Sequence, residues 1–533
     1  MWSSARATRT ALCATFGVVM AWSGRVSAQD PPPTSTADHR RFEALQRTFN
    51  SGAEVTRACL ECHTEAAKQV RNTIHWTWEA VHPGTGRTVG KRHVVNSFCS
   101  NLATNEPRCT SCHNGYGLRG PDFDFADDTR VDCLSCHDTT GTYVKAPTGA
   151  GQVLKEATQV HGQALTPPDL GHVARNVGPP SRQSCGSCHF QGGGGDGSKH
   201  GDLDSSLIDP PYGLSVHMSS EGADMTCQTC HVTEGHRISG SRYQMVAKDE
   251  IGRGRPGERR MVATCEACHG RRPHPGGSYV ARTLNQHGDR VACQTCHIPR
   301  IARGGVPTKV WWDWSKAGRT DPSGAPIHEY DEAGRTTYWS RWGEIRWAEN
   351  LRPTYAWFDG TIRYTLPTDP IDPDEVVPIN RLEGSPTDPG ARIWPFKVMR
   401  GKQPYDPQHE RLALMHLFGD DDSAFWKHLE WEPAIRQAME AASLPFSGEI
   451  DFVETTMHWP ITHMVAPAED AVDCAACHQK EGILADVKGV YLPGRDGHGI
   501  VDVLGSLALG ATILAVVVHA GLRVRYRFWR RRT

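Results

Sequence analysis

Eight short motifs of identical spacing constrain this chain of 533 residues more than any other feature. Each motif has two cysteines separated by two residues, with a histidine directly after the second. Together they use 16 of the 18 cysteines. The cysteine pairs are Cys59 and Cys62, Cys109 and Cys112, Cys133 and Cys136, Cys185 and Cys188, Cys227 and Cys230, Cys265 and Cys268, Cys293 and Cys296, and Cys474 and Cys477. The histidines are His63, His113, His137, His189, His231, His269, His297 and His478.

The spacing CxxCH is typical of covalent haem attachment, in which two thioethers hold the porphyrin edge and the histidine meets the iron. Zinc ribbons and disulfide frameworks also pair cysteines, but neither requires a histidine after every pair. Eight covalently attached c-type haems with their iron are therefore predicted. Only 38% of the residues are hydrophobic, so the haems would supply much of the core. The predicted fold class is mainly α with extensive irregular loops, a multihaem cytochrome c fold organised around eight covalently bound haems, plus one C-terminal transmembrane helix.

The two remaining cysteines differ in position. Within residues 1–28, Arg6 and Arg9 precede an apolar run at 11–22, and small residues come before Gln29, which is typical of a secretory signal peptide. Cys13 lies in that run and would be removed with it. Cys99 is then the single unpaired cysteine of the mature chain, which excludes an intramolecular disulfide.

The other end of the chain predicts a membrane anchor. Residues 503–522 form an apolar stretch of spanning length that contains His519, and residues 523–533 carry six arginines. The positive-inside rule places this arginine-rich tail in the cytoplasm and the haem domain on the periplasmic side of the inner membrane. A buried core helix is the alternative. His498 and His519 could hold a b-type haem shared with a partner, or could be interfacial or solvated histidines.

Partners follow from the same features. We expect a small anionic substrate, a single membrane span, and a membrane quinol-oxidising or cytochrome b-type electron donor. With 58 Lys and Arg against 60 Asp and Glu, the net charge is −2, and no nucleic-acid partner is expected.

The motifs divide the chain unevenly. Residues 29–300 form a haem domain with seven motifs, and residues 471–490 carry the eighth. Between them, residues 301–470 contain 11 of the 16 tryptophans and are expected to pack on the haem core. Within this segment, Asp422 to Ala442 has the clearest helical periodicity, with Pro433 near a second helix start.

Most irons need a second axial ligand. The chain has 27 histidines, and 27 minus the eight in motifs leaves 19. Any of these could instead be a surface histidine. The candidates by position are His75, His82, His172, His200, His217, His236, His287 and His463.

The loop FQGGGGDGSKHGDLD, at 190–204, is the most unusual in the chain. Four consecutive glycines could let the backbone lie against a flat ligand without Cβ clashes. Lys199 or His200 would then ligate a haem or face an active site. A flexible linker is the alternative.

Several motifs in order resemble the octahaem tetrathionate reductase family, which is related to the octahaem hydroxylamine oxidoreductases. They are NSFC, NEPRCTSCHNGYG, DCLSCHDTTGTY, CGSCHFQGGGGDGSKHGDLD, PFKVMRGKQPYDP and WPITHMVAPAEDAVDCAACH, and they cover roughly residues 45–480. The resemblance implies that the second haem is catalytic and associated with a lysine, which matches Lys199. It also implies active-site roles for Asn96 and Cys99, and for a further lysine that matches Lys397 or Lys402.

This resemblance predicts a reductase that converts tetrathionate to thiosulfate, or nitrite or hydroxylamine to ammonium, with seven bis-histidine haems relaying electrons. A thiolate can attack an S–S bond, and we expect the lysines to attract the dianion and to lower the pKa of the thiol. A non-catalytic electron conduit coupled to a membrane partner is the alternative. Hydroxylamine oxidation is a third, less favoured direction.

Overall fold

The computed structural model describes residues 37–160, 163–243, 245–252, 254, 262–497 and 499–531. Almost all of these residues belong to one compact unit that begins at His39. The predicted signal peptide with Cys13, together with His498 and Arg532, lies outside the described residues.

The helices are short and follow the motifs. They are Gly52–Leu60 (α1), Ala66–Arg71 (α2), Ile74–Thr77 (α3), Leu134–His137 (α4), Leu170–Arg175 (α5), Arg182–His189 (α6), Cys227–Cys230 (α7), Cys265–His269 (α8), Tyr279–His287 (α9), Cys293–His297 (α10), Phe425–His428 (α11), Trp431–Ala441 (α12), Cys474–Cys477 (α13) and Gly499–Arg530 (α14). Six of the eight motifs fall on α4, α6, α7, α8, α10 and α13, and the first motif begins at the end of α1. One helical turn brings cysteines three positions apart to the same side, as attachment to one porphyrin edge requires.

The sequence analysis did not predict the large sheet that fills the aromatic-rich segment. The strands are Ala80–Val81 (β1), Thr88–Val89 (β2), Thr158–Val160 (β3), Gln163–Leu165 (β4), Thr233–Glu234 (β5), Arg237–Ile238 (β6), Thr308–Asp313 (β7), His328–Tyr330 (β8), Thr336–Trp339 (β9), Gly343–Ala348 (β10), Thr354–Phe358 (β11), Ile362–Tyr364 (β12), Val377–Pro378 (β13), Asn380–Leu382 (β14), Arg392–Asp406 (β15), Arg411–Leu412 (β16) and Asp451–Pro460 (β17). Nine of them form one sheet in the order β13-β17-β15-β7-β10-β9-β8, with β11 and β16 also paired to β15.

Strand β15 is the centre of this sheet. It pairs antiparallel with β17 from Phe396 opposite Pro460 to Tyr405 opposite Asp451, and parallel with β7 at Arg400 to Lys402. Its side chains are buried along nearly the whole strand, as expected for a strand covered on both faces. The sheet therefore provides a rigid wall, and the loop at 190–204 lies against β7 and β15.

The predicted helical pattern from Asp422 to Ala442 contains α11 and α12. Leu429 ends α11 in a left-handed conformation with φ of 62°, and Pro433 is the third residue of α12. Phe425, Ile435 and Met439 are buried in the largest apolar cluster, so this pattern marks the face that packs against the sheet.

Helix α14 has 32 residues and contains the whole predicted span at 503–522. Its most apolar window has a mean hydropathy of 2.3, and none of that window is buried. At about 1.5 Å per residue the helix is roughly 48 Å long, which exceeds the hydrocarbon thickness of a bilayer. His519 lies on this exposed helix. The helix is long and apolar enough to serve as a membrane anchor.

Candidate haem centres and active site

Seven motif histidines face a second histidine ring at nearly constant separation. Two imidazoles on one metal ion place their nitrogens roughly 2 Å from it on opposite sides, which puts the ring centroids roughly 6 Å apart. The observed centroid separations are 6.1 Å for His39 and His63, 6.1 Å for His75 and His189, 6.4 Å for His137 and His236, 5.9 Å for His217 and His269, 6.3 Å for His231 and His463, 6.3 Å for His274 and His297, and 6.0 Å for His287 and His478. These residues therefore fit bis-histidine iron sites. We number the sites one to eight by motif.

The structure brings five of the eight candidate axial histidines opposite a motif histidine: His75, His217, His236, His287 and His463. It does not do so for His82, His172 or His200 among the described residues. His82 is buried in the β1–β2 turn, where its Nδ1 accepts from the amides of Gly84 and Thr85. His172 is exposed on α5, and the His200 ring lies edge-on to Trp459 with centroids 4.8 Å apart.

The sequence reasoning missed two opposing histidines, His39 and His274. His274 follows the sixth motif by five residues, yet it faces the seventh. His39 precedes the first motif by twenty residues. Neither residue has a local sequence pattern that marks it as a ligand.

The second site differs from the other seven. His113 is fully buried, and its ring is enclosed by Trp76, Trp78, Phe123 and Phe125 with centroids 5.0–6.3 Å away. No second histidine ring faces it in the part of the chain that the structure describes. Residues 109–113 form turns instead of a helix.

In His113 the two ring nitrogens also have the opposite hydrogen-bonding arrangement to that in other motif histidines. In His137 and His231 the Nδ1 atom lies 2.8 Å from a backbone carbonyl, which leaves Nε2 for the metal. In His113 it is Nε2 that lies 2.7 Å from the carbonyl of Trp76, and Nδ1 is buried without a partner. Because the carbonyl of Trp76 occupies Nε2 of His113, a side chain other than His113 is favoured as the fixed ligand at the second site.

Lys199 lies beside this second site. Its charge interacts with the thiols of Cys109 and Cys112, and burial lowers the pKa of Lys199 to about 7. A neutral amine, which is the form that can ligate a metal, is therefore accessible near neutral pH.

The glycine run explains how Lys199 fits. A Cβ at Gly192 would lie 2.8 Å from Lys199 Cδ, and one at Gly193 would lie 3.0 Å from the Phe98 ring. At Gly194 a Cβ would lie 3.0 Å from Lys309 Nζ. The close backbone approach that the glycine run permits is made to lysine and phenylalanine side chains.

Cys99 is held in a tight turn by Asn96. The Asn96 side-chain oxygen accepts from the backbone amides of Phe98 at 2.9 Å and Cys99 at 3.0 Å. The backbone amide of Asn96 donates to the carbonyl of Ser100, and Ser100 itself has a φ of 62°. Asn96 is thus placed to shape the turn that presents the thiol.

Two opposing influences act on the Cys99 thiol. Burial raises its pKa, and the cations Arg108, Lys309 and Lys199 lower it, with a net rise. As predicted, the lysines lower the pKa of this thiol, but desolvation of the thiolate outweighs their attraction, so the net shift is upward. Cys99 is therefore a protonated thiol in the unliganded protein.

Lys309 is a site residue that the sequence analysis missed. It is fully buried on β7, donates to the carbonyl of Gly193 at 3.1 Å, and lies 4.0 Å from the Trp312 ring centroid. Burial lowers the pKa of Lys309 to about 7, and its charge interacts with Cys99. The only sequence signal was a lysine within an aromatic strand.

The two lysines predicted by resemblance are placed differently. Lys397 on β15 is buried and donates to the carbonyls of Ser198 at 2.7 Å and Lys199 at 2.6 Å, and to the Thr308 hydroxyl. It fixes the backbone that carries Lys199. Lys402 has a side chain 36% exposed, with its Nζ 3.9 Å from Glu454, and has no contact with this loop in the described residues.

Comparisons with known proteins agree with the prediction of eight c-type haems. Residues 309–481 match the family model described as Cytochrome c bacterial. A crystal structure of octaheme cytochrome c from Shewanella oneidensis is 40% identical, with a TM-score of 0.74 over 85% of this chain and 97% of that one. The chain belongs to the octahaem c-type cytochromes. An uncharacterized protein from Archaeoglobus fulgidus is also 23% identical over 226 residues, 35% of this chain and 75% of its own length.

The octahaem cytochrome connects its sites through contacts between cysteines of different motifs. Four pairs of cysteines from different motifs are adjacent, and five more are close enough to interact electrostatically. The first group is Cys59 and Cys133, Cys112 and Cys188, Cys185 and Cys227, and Cys265 and Cys293. The second group is Cys136 and Cys185, Cys230 and Cys265, Cys230 and Cys268, Cys296 and Cys474, and Cys296 and Cys477. The sites therefore adjoin in the order 8-7-6-5-4-2, and sites three and one branch from site four. This connectivity suits electron transfer.

Asp202 ties the loop of Lys199 to the fifth site. Its carboxylate accepts from the amides of Thr462 at 2.8 Å and His463 at 3.0 Å, and lies 3.3 Å from His463 Nδ1. A carboxylate on the far ring nitrogen fixes the orientation of a metal-binding histidine. In this cytochrome one short segment, 199–202, thus positions groups at two sites.

Proposed function

We propose that this cytochrome is a membrane-anchored, periplasmic reductase of a small oxyanion, with tetrathionate as its substrate. The observation that supports this most directly is the position of the thiol. Cys99 interacts with Lys199, Lys309 and Arg108 next to the one motif whose histidine faces no second histidine in the described chain. Such a site can attract an anion and offer it a nucleophile.

The charges around the thiol favour a dianion. Arg242 is half-buried, donates to the Tyr243 hydroxyl at 2.8 Å, and has its guanidinium 4.7 Å from the Trp459 ring centroid. No carboxylate pairs with Arg242 or Lys309 in the described part of the chain. Unpaired cations in a partly desolvated site interact more strongly with a bound anion than cations in water do.

The second site also has the residues to hold a reactive haem. Cys109 and Cys112 would attach it, and the Lys199 amine would be its axial ligand. When bound, this haem supplies electrons one at a time beside the thiol. Lys397 keeps the Lys199 backbone in place, since its side-chain nitrogen donates to two carbonyls of that loop.

The thiol chemistry balances as two steps. The Cys99 thiolate attacks one central sulfur of tetrathionate, so a Cys99–sulfur bond forms, the central S–S bond breaks and thiosulfate leaves. Two electrons then cleave the new bond, which restores the thiolate and releases a second thiosulfate. The sum is tetrathionate plus two electrons giving two thiosulfates.

Lys309 is the group best placed to take the proton of Cys99. A base is needed because burial raises the pKa of the thiol. The pKa of Lys309, about 7, leaves half of its amine neutral at neutral pH. After the transfer, the Lys309 ammonium stabilises both the thiolate and the bound dianion.

Steady-state turnover of tetrathionate, nitrite and hydroxylamine by one preparation tests this function, with Cys99→Ser as the variant. We expect that variant to keep eight haems and to lose tetrathionate turnover. Nitrite or hydroxylamine turnover that exceeds tetrathionate turnover and survives Cys99→Ser would favour the nitrogen oxyanions instead. Uniformly low-spin iron that no substrate perturbs would favour the non-catalytic conduit.

A further inference from the structure

The segment between the eighth motif and α14 is folded directly onto the eighth site. Gly494 has φ of 91°, and a Cβ there would lie 2.5 Å from the carbonyl oxygen of His478. A Cβ at Gly482 would lie 2.6 Å from the carbonyl oxygen of Cys477. Both glycines therefore let the segment press against the motif backbone, where any side chain would collide.

Arg495 holds this segment in one conformation. Its Nη1 donates to the carbonyls of Leu484, Ala485 and Val487 at 3.2, 3.0 and 2.7 Å, and its Nη2 donates to Val490 at 2.6 Å. Charge-assisted bonds of this kind are stronger than neutral ones. Beneath them, an apolar cluster buries Leu484, Val487 and Leu492 against Ile393. The segment is thus a fixed support.

The membrane helix begins almost at once after this support. Arg495 forms an ion pair with Asp496 at 2.8 Å, and α14 begins three residues later at Gly499. Three residues span at most about 10 Å. The start of α14 is therefore tethered tightly to the eighth site, whereas the arginine-rich tail lies at the opposite end of the helix.

The other half of the eighth site presents apolar surface to solvent. His287, which faces His478, is the last residue of α9. The same helix begins with Tyr279 and Val280, which are 76% and 60% exposed. Exposed tyrosine and aliphatic side chains are typical of a membrane-water interface. Cys474 of the motif is itself exposed.

We propose that the eighth haem site lies at the bilayer surface and is the port through which electrons enter from a one-electron donor in the membrane. The inference rests on the proposed anchorage and goes beyond it, because it selects one of eight sites. His478 and His287 would hold the iron of this site, which would gain one electron as the donor loses one. The contacts between cysteines of different motifs then connect the eighth site to the second.

Amine labelling of the full-length holoprotein in nanodiscs tests the placement. Lys480 and Lys488 lie on the supporting segment, and the exposed Lys68 and Lys427 lie elsewhere. The comparison variant has twenty Gly and Ser residues inserted after Asp496, which keeps the anchor but frees the body; the matched control has the same insertion in the exposed turn at Gly324. We expect the insertion after Asp496 to raise labelling of Lys480 and Lys488 several-fold and leave the other two unchanged.

A second measurement follows electron entry. Nanodiscs carry a ruthenium tris-bipyridine photoreductant on a lipid headgroup, with aniline as sacrificial donor, and haem reduction is followed after a flash. The insertion after Asp496 should slow reduction about tenfold, since it lowers the effective concentration of the port at the membrane. The insertion at Gly324 should not. Reduction by the same complex free in water should be equal in all forms.

The outcomes separate the two proposals. If the full-length protein does not float with nanodiscs, both the anchorage and the port are wrong. A chain that floats but labels equally at all four lysines, or is reduced at the same rate with the longer tether, overturns the port alone. Neither result bears on the chemistry proposed at Cys99.

Discussion

Replacing Lys309 with methionine removes a buried cation and a proton acceptor while nearly preserving volume. In the reactive state, a unit charge about 5 Å from a bound negative charge contributes roughly 3 kcal/mol at an effective dielectric constant of about 20. Because each 1.4 kcal/mol is a factor of about ten, we expect kcat/KM for tetrathionate to fall about 100-fold. A large effect is expected because Lys309 is fully buried and its charge interacts with Cys99.

The pH dependence separates the two roles of Lys309. Below a pKa of about 7 Lys309 holds its own proton and cannot accept another, so kcat/KM should fall as the pH falls through 7. Lys309→Arg keeps the cation but cannot accept a proton, so it should retain KM and lose kcat. Lys309→Met should lose the pH inflection.

Steady-state rates between pH 5.5 and 9, with the exposed Lys316→Met as matched control, provide the assay. Eight haems per chain in every variant, by pyridine haemochrome, would exclude a folding defect. If kcat/KM of Lys309→Met stayed within twofold of the native value, the electrostatic reasoning would be refuted.

Three further predictions concern the sites. Cys99→Ser should retain eight haems and lose tetrathionate turnover at least 100-fold in steady-state assays; unchanged turnover would remove the nucleophile. Lys397→Met removes three hydrogen bonds, two of them to the Lys199 loop, and should decrease the EPR signal of the second site with no change in haem content. An intact signal would count against Lys397 as a positioning residue. His274→Met should alter one low-spin EPR signal, whereas His82→Met should alter none; the reverse result would contradict the pairing geometry.

The sequence predicts covalent chemistry better than spatial arrangement. CxxCH is a local requirement of one porphyrin edge, so all eight attachment motifs could be read from spacing alone. The second axial ligand has no such local requirement. His274 faces a motif whose first cysteine lies 19 residues later, and the fold decides this.

The sheet was missed for a related reason. Strand β15 reads RIWPFKVMRGKQPYD, in which buried lysine, arginine and glutamine interrupt the apolar pattern. Lys397 and Gln403 are buried there because they hydrogen-bond to the loops that carry Lys199 and Asn96. A strand whose polar side chains hydrogen-bond to site loops lacks the regular alternation of apolar and polar residues by which strands are recognised.

The order in which the sites adjoin makes the molecule unequally tolerant of damage. Sites three and one form a side arm that joins through Cys136 and Cys185, so losing either leaves the route from the eighth site to the second unbroken. Loss of the seventh, sixth, fifth or fourth would divide it. The side arm can hold two electrons, the number that one S–S bond consumes. We expect its removal to decrease the amplitude of a pre-steady-state burst, because two of the eight electrons that the sites can hold are lost, while continuous turnover persists; an unchanged amplitude would show that this reserve lies elsewhere.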